Sequence, residues 1–285
     1  MRRIWVGLAA LLASSAALAE CHDQWHLRVE ENRAEFRDDG GVAAWIPARI
    51  EVSDRTEPCT NAALLGAVQR PELVLQGPGG ALAVQLMDEQ LRPLPSGGDG
   101  LSRLNLNTGG VTRFWLRVPQ SAFAAPGQYR GQLSSQLQGA GWESRERQTP
   151  INYRVKPAVS MAVNTASYPW LSGGGSSYRL ELGSMHTGLR RVFDISVTSN
   201  ARVTMALESE NGALVHESVP ESKVGYSILV EGRAYSPSGK PRLELGRFQG
   251  NRPVQVPLGV ELGEVKFQRA GRYSDRLTVT LTARD

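Results

Sequence analysis

Four histidines, two cysteines and scattered carboxylates are the residues from which this chain could build a reactive centre. His22 and His26 stand at the i, i+4 spacing that lets two imidazoles share a metal on a helix. The residues around them read as extended, however, and no second cysteine pair joins Cys21 and Cys59. His186 or His216 could be drawn into a triad with Asp194 and a serine, yet no serine sits in a nucleophile-elbow motif. Surface or strand histidines are the simpler reading. Glu208 and Glu210, with Asn211-Gly212 close behind, read as a charged hairpin turn and not as a paired-carboxylate site. Gly173-Gly174-Gly175 lies between Trp170 and Ser176-Ser177 with no lysine or helix to follow, so it lacks the parts of a phosphate loop. No catalytic residue, metal ligand or cofactor is assigned, and binding or assembly is expected in place of catalysis. Among the tryptophans, Trp45 and Trp115 fall in strand-like runs and read as core. Trp25, Trp142 and Trp170 have polar or Gly-rich neighbours, where an aromatic ring can serve an interface.

The N-terminus says where such a protein works. Arg2 and Arg3 precede an apolar run from Ile4 to Leu18, and Ala17-Leu18-Ala19 sets small residues at the two positions a signal peptidase reads. Residues 1–19 are therefore expected to be a cleaved export signal, the run being shorter than the ~20 residues that span a bilayer. A lipoprotein is the rival reading, but Glu20 stands before Cys21 where a lipobox has a small residue. Removing this segment takes away two arginines and no acid, so the formal charge drops from +4 to +2. Lys and Arg are interleaved with Asp and Glu, which gives no footing for a nucleic-acid partner. In an oxidising compartment the two cysteines are expected to form one Cys21–Cys59 disulfide; two free thiols and a metal site are the competing readings.

The elements that must position everything else are strands. Val42 to Val52, Leu73 to Leu86, Thr112 to Val118 and Leu277 to Leu281 are rich in Val, Leu, Thr and aromatics, several alternating apolar with polar. Clusters such as Gly77-Pro78-Gly79-Gly80, Pro93 to Gly100 and Gly173 to Gly175 punctuate them, and no long helical period occurs. The expected class is all-β, two immunoglobulin-like sandwiches in tandem. An internal echo supports two units. Gly127-Gln128-Tyr129 with Leu133 matches Gly271-Arg272-Tyr273 with Leu277, each at the entry to a late strand. A tyrosine there, Tyr129 or Tyr273, is placed to hydrogen-bond back to the preceding loop. The boundary is expected near Tyr153 to Pro157, giving units 20–153 and 154–285, with Val159, Met161 and Val163 opening the second unit's first strand.

The second unit resembles the spore coat protein U domain of archaic chaperone–usher pili. The residues that carry this are Phe193-Asp194-Ile195-Ser196-Val197, Leu207 to Leu214, Val224-Gly225-Tyr226-Ser227-Ile228, Val256-Pro257-Leu258, and the block from Ala270-Gly271-Arg272-Tyr273-Ser274-Asp275 to Leu281. The first unit shares only the Gly-x-Tyr echo. The resemblance implies a pilin sandwich that lacks its last strand and is completed by a strand from another chain. It implies a donor-strand groove bordered by Val159, Met161, Val163, Leu277, Val279 and Leu281. The partners would be a periplasmic pilus chaperone, an outer-membrane usher, an adjacent pilus subunit and an unknown surface receptor. With Cys21 tied to Cys59 no free N-terminal arm remains to donate, which is expected of a two-domain tip adhesin in a fimbrium, mediating attachment or biofilm formation. A two-domain periplasmic pilus chaperone, and a secreted carbohydrate-binding protein or hydrolase, are the alternatives.

Overall fold

The computed structural model describes residues 21–36, 42–68, 72–97, 100–248, 250 and 252–285; the expected signal at 1–19 lies outside them. The protein is all-β. Among the described residues the helices are single 3₁₀ turns of three residues, and none is long and apolar enough to cross a membrane.

Residues 25–155 form two facing antiparallel sheets. One orders Trp25–Val29, Ala44–Val52, Val111–Val118 and Gln85–Met87, with Glu35–Phe36 paired to Ala44–Val52. The other orders Gly80–Ala83, Val74–Gly77, Gly127–Gly139, Ala62–Ala67 and Ser102–Asn105, with Trp142–Glu143 and Arg147–Val155 also on Gly127–Gly139. Period-2 alternation sends Ile46, Ala48 and Ile50 inward from one sheet, to meet Leu65, Leu133, Leu137 and Ile151 from the other. The disulfide Cys21–Cys59 closes over this half.

Residues 159–284 build a second layered unit with its own core. A five-stranded sheet orders Val159–Val163, Arg190–Ser199, Val254–Leu262, Tyr226–Val230 and Arg233–Tyr235. Facing it, a three-stranded sheet orders Arg242–Arg247, Arg202–Ser209 and Leu277–Arg284. A small sheet of Val219–Val224, Leu214–His216 and Tyr273–Ser274 caps one end, and Leu171–Gly174 with Ser177–Leu180 makes a separate hairpin. Among the described residues no strand pairs across the two halves. They meet at Asn200, which is buried. Its Oδ1 accepts from Ala158 N at 2.8 Å, and its Nδ2 donates to the carbonyls of Ala124 at 2.9 Å and Lys156 at 3.2 Å.

Four local expectations need correction. The run Leu73 to Leu86 is three strands, because the turn at Gly77–Gly80 folds Val74–Gly77 back on Gly80–Ala83. Tyr153 to Val155 is not linker. It continues Arg147–Val155, and Tyr153 and Val155 are buried in the first core, so the connection begins at Lys156. Glu208 to Gly212 is a turn but not a hairpin, since Arg202–Ser209 and Leu214–His216 belong to different sheets. Finally, Trp25 is a core residue, only 1% exposed, with Arg147 stacked 4.5 Å from its ring centroid and Nε1 donating to Asp23 at 2.7 Å. The tryptophans expected in the core lie outside it: Trp45 is buried beneath Arg117, and Trp115 is half-buried.

Candidate functional site: an uncovered strand edge

The second unit has two outermost strands on one side, Val159–Val163 in the larger sheet and Leu277–Arg284 in the smaller. They approach within 8 Å, Cα to Cα, but share no ladder. On the opposite side the chain itself crosses between the sheets, from Arg233–Tyr235 through the turn Pro237–Gly239 into Arg242–Arg247. Leu243 and Leu245 are half-buried there too, but beneath that crossing. On the open side, among the described residues, no strand pairs with the outer edge of Leu277–Arg284, whose outer row of N–H and C=O groups faces away from the sheet.

Burial locates the uncovered surface residue by residue. Residues directly opposite in an antiparallel pair share a face. Met205, Leu207 and Val203 lie opposite Leu281, Val279 and Ala283. The first three are 0–1% exposed, while their partners on the edge strand are only half-buried. The facing sheet repeats the drop. Ile195, Val197 and Ser199 are buried, whereas their partners Val163 and Val159 are half-buried and Met161 is 39% exposed. Thr278, Thr280 and Thr282 alternate outward to solvent, as a half-buried strand requires. The structure thus brings Val159, Met161, Val163, Leu277, Val279 and Leu281 to one open seam between two sheets. Five of the six pack on the core; Met161 stands clear of it.

The entry to the edge strand is fixed by two groups. Tyr273 donates to the Arg269 carbonyl at 3.0 Å and shares a hydrogen bond with Ser222 Oγ at 2.7 Å. Tyr129 in the first half does the equivalent, donating to Ala125 O at 3.0 Å and accepting from Gly79 N at 3.2 Å. In both cases the acceptor lies four residues earlier, and the glycine two before the tyrosine is needed. A Cβ on Gly127 would come 2.6 Å from Pro78, and one on Gly271 would come 2.1 Å from the His216 ring. Asp275 is the second group. Its carboxylate accepts from Ser209 Oγ, Tyr226 Oη, both nitrogens of Asn211 and the Arg276 N–H. Burial alone would raise this carboxyl, but those hydrogen bonds outweigh it and hold Asp275 below the ordinary aspartate value. Burial also pushes the Tyr226 phenol well above its usual value. Sequence reasoning quoted Asp275 without a role. Its position two residues before an alternating strand is the signal that could have marked it.

Beyond Val163 the seam has a different lining. Arg190–Ser199 continues past the last Val159–Val163 partner, Ile195, leaving Phe193 and Arg191 on the inward face. Tyr168 packs edge-on against Phe193 (6.4 Å between centroids) and tilted against Trp170 (5.9 Å), and Arg191 lies 5.0 Å over Trp170. Tyr168 Oη donates to Asp194 at 2.7 Å.

At the far end of the first half the chain's start is held down. Thr56 Oγ1 donates to the His22 carbonyl, and Arg147 bonds the carbonyls of Asp23 and Trp25 and the Asp23 carboxylate. Shallow clefts of about 520 Å³ and 370 Å³ lie there, the first against Trp25, Glu51 and Arg147, the second against Pro58, Asn61 and Leu106. Among the described residues no cluster of three His, Cys, Asp or Glu could hold a metal.

No family model and no curated protein matches the chain. Among solved structures it is similar to the chaperone–tip adhesion subunit pre-assembly complex of Csu pili from Acinetobacter baumannii, at 12% identity over 78% of this chain and 84% of that one, TM-score 0.44. It is also similar to the CFA/I adhesin CfaE of enterotoxigenic Escherichia coli (13%, 79% and 82%, 0.35) and the CupB6 tip adhesin of Pseudomonas aeruginosa (13%, 90% and 85%, 0.30). At such identities and TM-scores these likenesses carry no argument about function.

Proposed function

We propose that the chain is the tip subunit, an adhesin, of a chaperone–usher pilus. Its second unit accepts a strand first from a periplasmic chaperone and then from the adjacent subunit. The observation that carries this reading is the seam bordered by Val159, Met161, Val163, Leu277, Val279 and Leu281, where among the described residues both sheets end in strands with no partner on their outer edge. A strand inserted there would pair with the outer edge of Leu277–Arg284 and send alternate side chains onto these residues, which is strand addition. The resemblance of residues 159–285 to the spore coat protein U domain points the same way. The tip position is favoured because the disulfide, Thr56 and Arg147 hold residues 21–25 in the first unit, so this segment cannot be donated onward. The first unit is then free to bind a receptor, with export through the periplasm to the cell surface.

The test fuses a strand of alternating apolar residues after Asp285 through a short flexible linker. Covering five half-buried side chains and the exposed Met161, at about half of the ~1.5–3 kcal/mol that full burial of each supplies, gives several kcal/mol. The fused mature chain should be monomeric and unfold at clearly higher denaturant than the unfused chain, which should aggregate or need a co-expressed chaperone. An unfused chain that unfolds reversibly at a high midpoint and gains nothing from the fusion overturns the proposal. The same chain with serine at the inward positions of the strand is the control.

A further inference from the structure

We infer that the strand taken up by this seam carries an acidic side chain at the end remote from the first unit, where Arg191 and Trp170 receive it. This rests on the strand-accepting reading above and adds the chemistry of the partner.

Arg191 has the parity of Phe193, Ile195 and Val197, so it projects from the inward face of its strand, where apolar residues are the rule. It is half-buried and stacks on Trp170. Its Nε and the Trp170 Nε1 are both buried with no hydrogen-bond acceptor among the described residues. Among the described residues no carboxylate lies within ion-pair distance of its guanidinium, whereas Arg49, Arg92 and Arg147, on the other half, each have one. The nearby Asp194 has the opposite parity and is engaged by Tyr168. A guanidinium cannot shed its proton to escape this situation. An unpaired cation withdrawn from water is costly, and the group that relieves it best is a carboxylate approached by two parallel N–H donors.

The site also lies where a strand would end. At this level Arg190–Ser199 has lost its Val159–Val163 neighbour, so the approach to Arg191 is from the open side. Arg284 pairs with Arg202 beside the junction of the two units, and Leu277 pairs with Ser209 at the other end. A strand running antiparallel to Leu277–Arg284 therefore starts near Ala283 and Val159 and finishes beyond Leu277, next to Phe193, Trp170 and Arg191. Apolar pockets along the seam would accept many alternating strands. A half-buried, unpaired positive charge at its end admits an acid and penalises a base, which is selection by both attraction and repulsion.

The experiment uses three fusions of the mature chain that differ only in the residue following the last inward apolar position: Glu, Gln or Lys. Each is made in the unaltered chain, with Arg191→Met, and with Arg190→Met, an exposed neighbour. Urea unfolding and dissociation of the same strands added as free peptides are measured. The Glu strand should be favoured over Gln by about tenfold in the binding constant, the factor that ~1.4 kcal/mol represents, and Lys should be disfavoured against both. The Glu preference should vanish in Arg191→Met and persist in Arg190→Met. If Glu, Gln and Lys strands stabilise equally, or the preference survives Arg191→Met, this inference is overturned while strand acceptance stands. If none of the three stabilises the chain, strand acceptance itself fails.

Discussion

Replacing Asp275 by alanine in the strand-fused chain should loosen the edge strand Leu277–Arg284. The carboxylate collects five donors, two of which, Ser209 Oγ and Tyr226 Oη, are partly shielded from water. The exposed bonds from Asn211 and Arg276 should contribute little, because water replaces them. Losing the carboxylate leaves two shielded hydroxyls without an acceptor, at ~1–3 kcal/mol each. Two such losses sum to ~2–6 kcal/mol, and because both hydroxyls are only partly shielded the expected cost near neutral pH is ~2–4 kcal/mol, with Asp275→Asn losing about half as much because its amide oxygen still accepts. The folded carboxyl titrates below its unfolded value of about 3.9, so its contribution is complete above that value. It disappears as pH falls through the lower folded value. Urea unfolding followed by tryptophan fluorescence at pH 7, 5 and 3 reads this directly. The gap between the parent and Asp275→Ala should be constant from 7 to 5 and narrow by pH 3. Tyr226→Phe should cost ~1 kcal/mol in the parent but recover part of the loss beside Asp275→Ala, because it removes a hydroxyl left without its acceptor, the mark of a shared interaction. A gap below 0.5 kcal/mol on this scale, or one that widens toward pH 3, would refute the reasoning.

Two further outcomes follow from the rest of the molecule. Cys21→Ser with Cys59→Ser should destabilise the first unit by about 4 kcal/mol, the chain-entropy value for a closed loop of this length, and peptide mapping without reductant should recover the linked pair from native protein. Tyr129→Phe should cost ~1–3 kcal/mol by denaturation, because Gly79 N and Ala125 O lose their partner at a fully buried site; Tyr273→Phe, at a half-exposed site, should cost less than ~1 kcal/mol.

The all-β class was legible because period-2 alternation and Gly-Pro punctuation are local. The run Leu277-Thr278-Val279-Thr280-Leu281 states which face is apolar, and the structure puts that face inward. It does not state whether the face is covered. Arg202–Ser209 alternates in the same way and is sealed, since coverage depends on which strand lies beyond, a long-range fact. The misread turn at Glu208 to Gly212 has the same cause. Asn211-Gly212 specifies a reversal, while the choice of the next partner, a different sheet, is made by distant residues such as Tyr273 and Asp275. Trp25 looked exposed because its sequence neighbours are polar. Its cover comes from Arg147, over a hundred residues away. The Arg191–Trp170 pair was invisible for a related reason: an arginine on an inward strand position reads as an ordinary break in alternation until its neighbours are known.

The Asn200 carboxamide has a mechanical consequence. It joins two pieces of backbone, the loop at Ala124 and the connection at Lys156 and Ala158, so bending the two units about that short connection must strain all three hydrogen bonds together. Tension entering the first unit arrives at Val155, the end of a strand laddered over nine residues to Gly127–Gly139. Pulled along its length, that ladder is loaded in shear, with its bonds sharing the force instead of opening one after another. A load applied to the first unit would thus reach the second through a stiff joint.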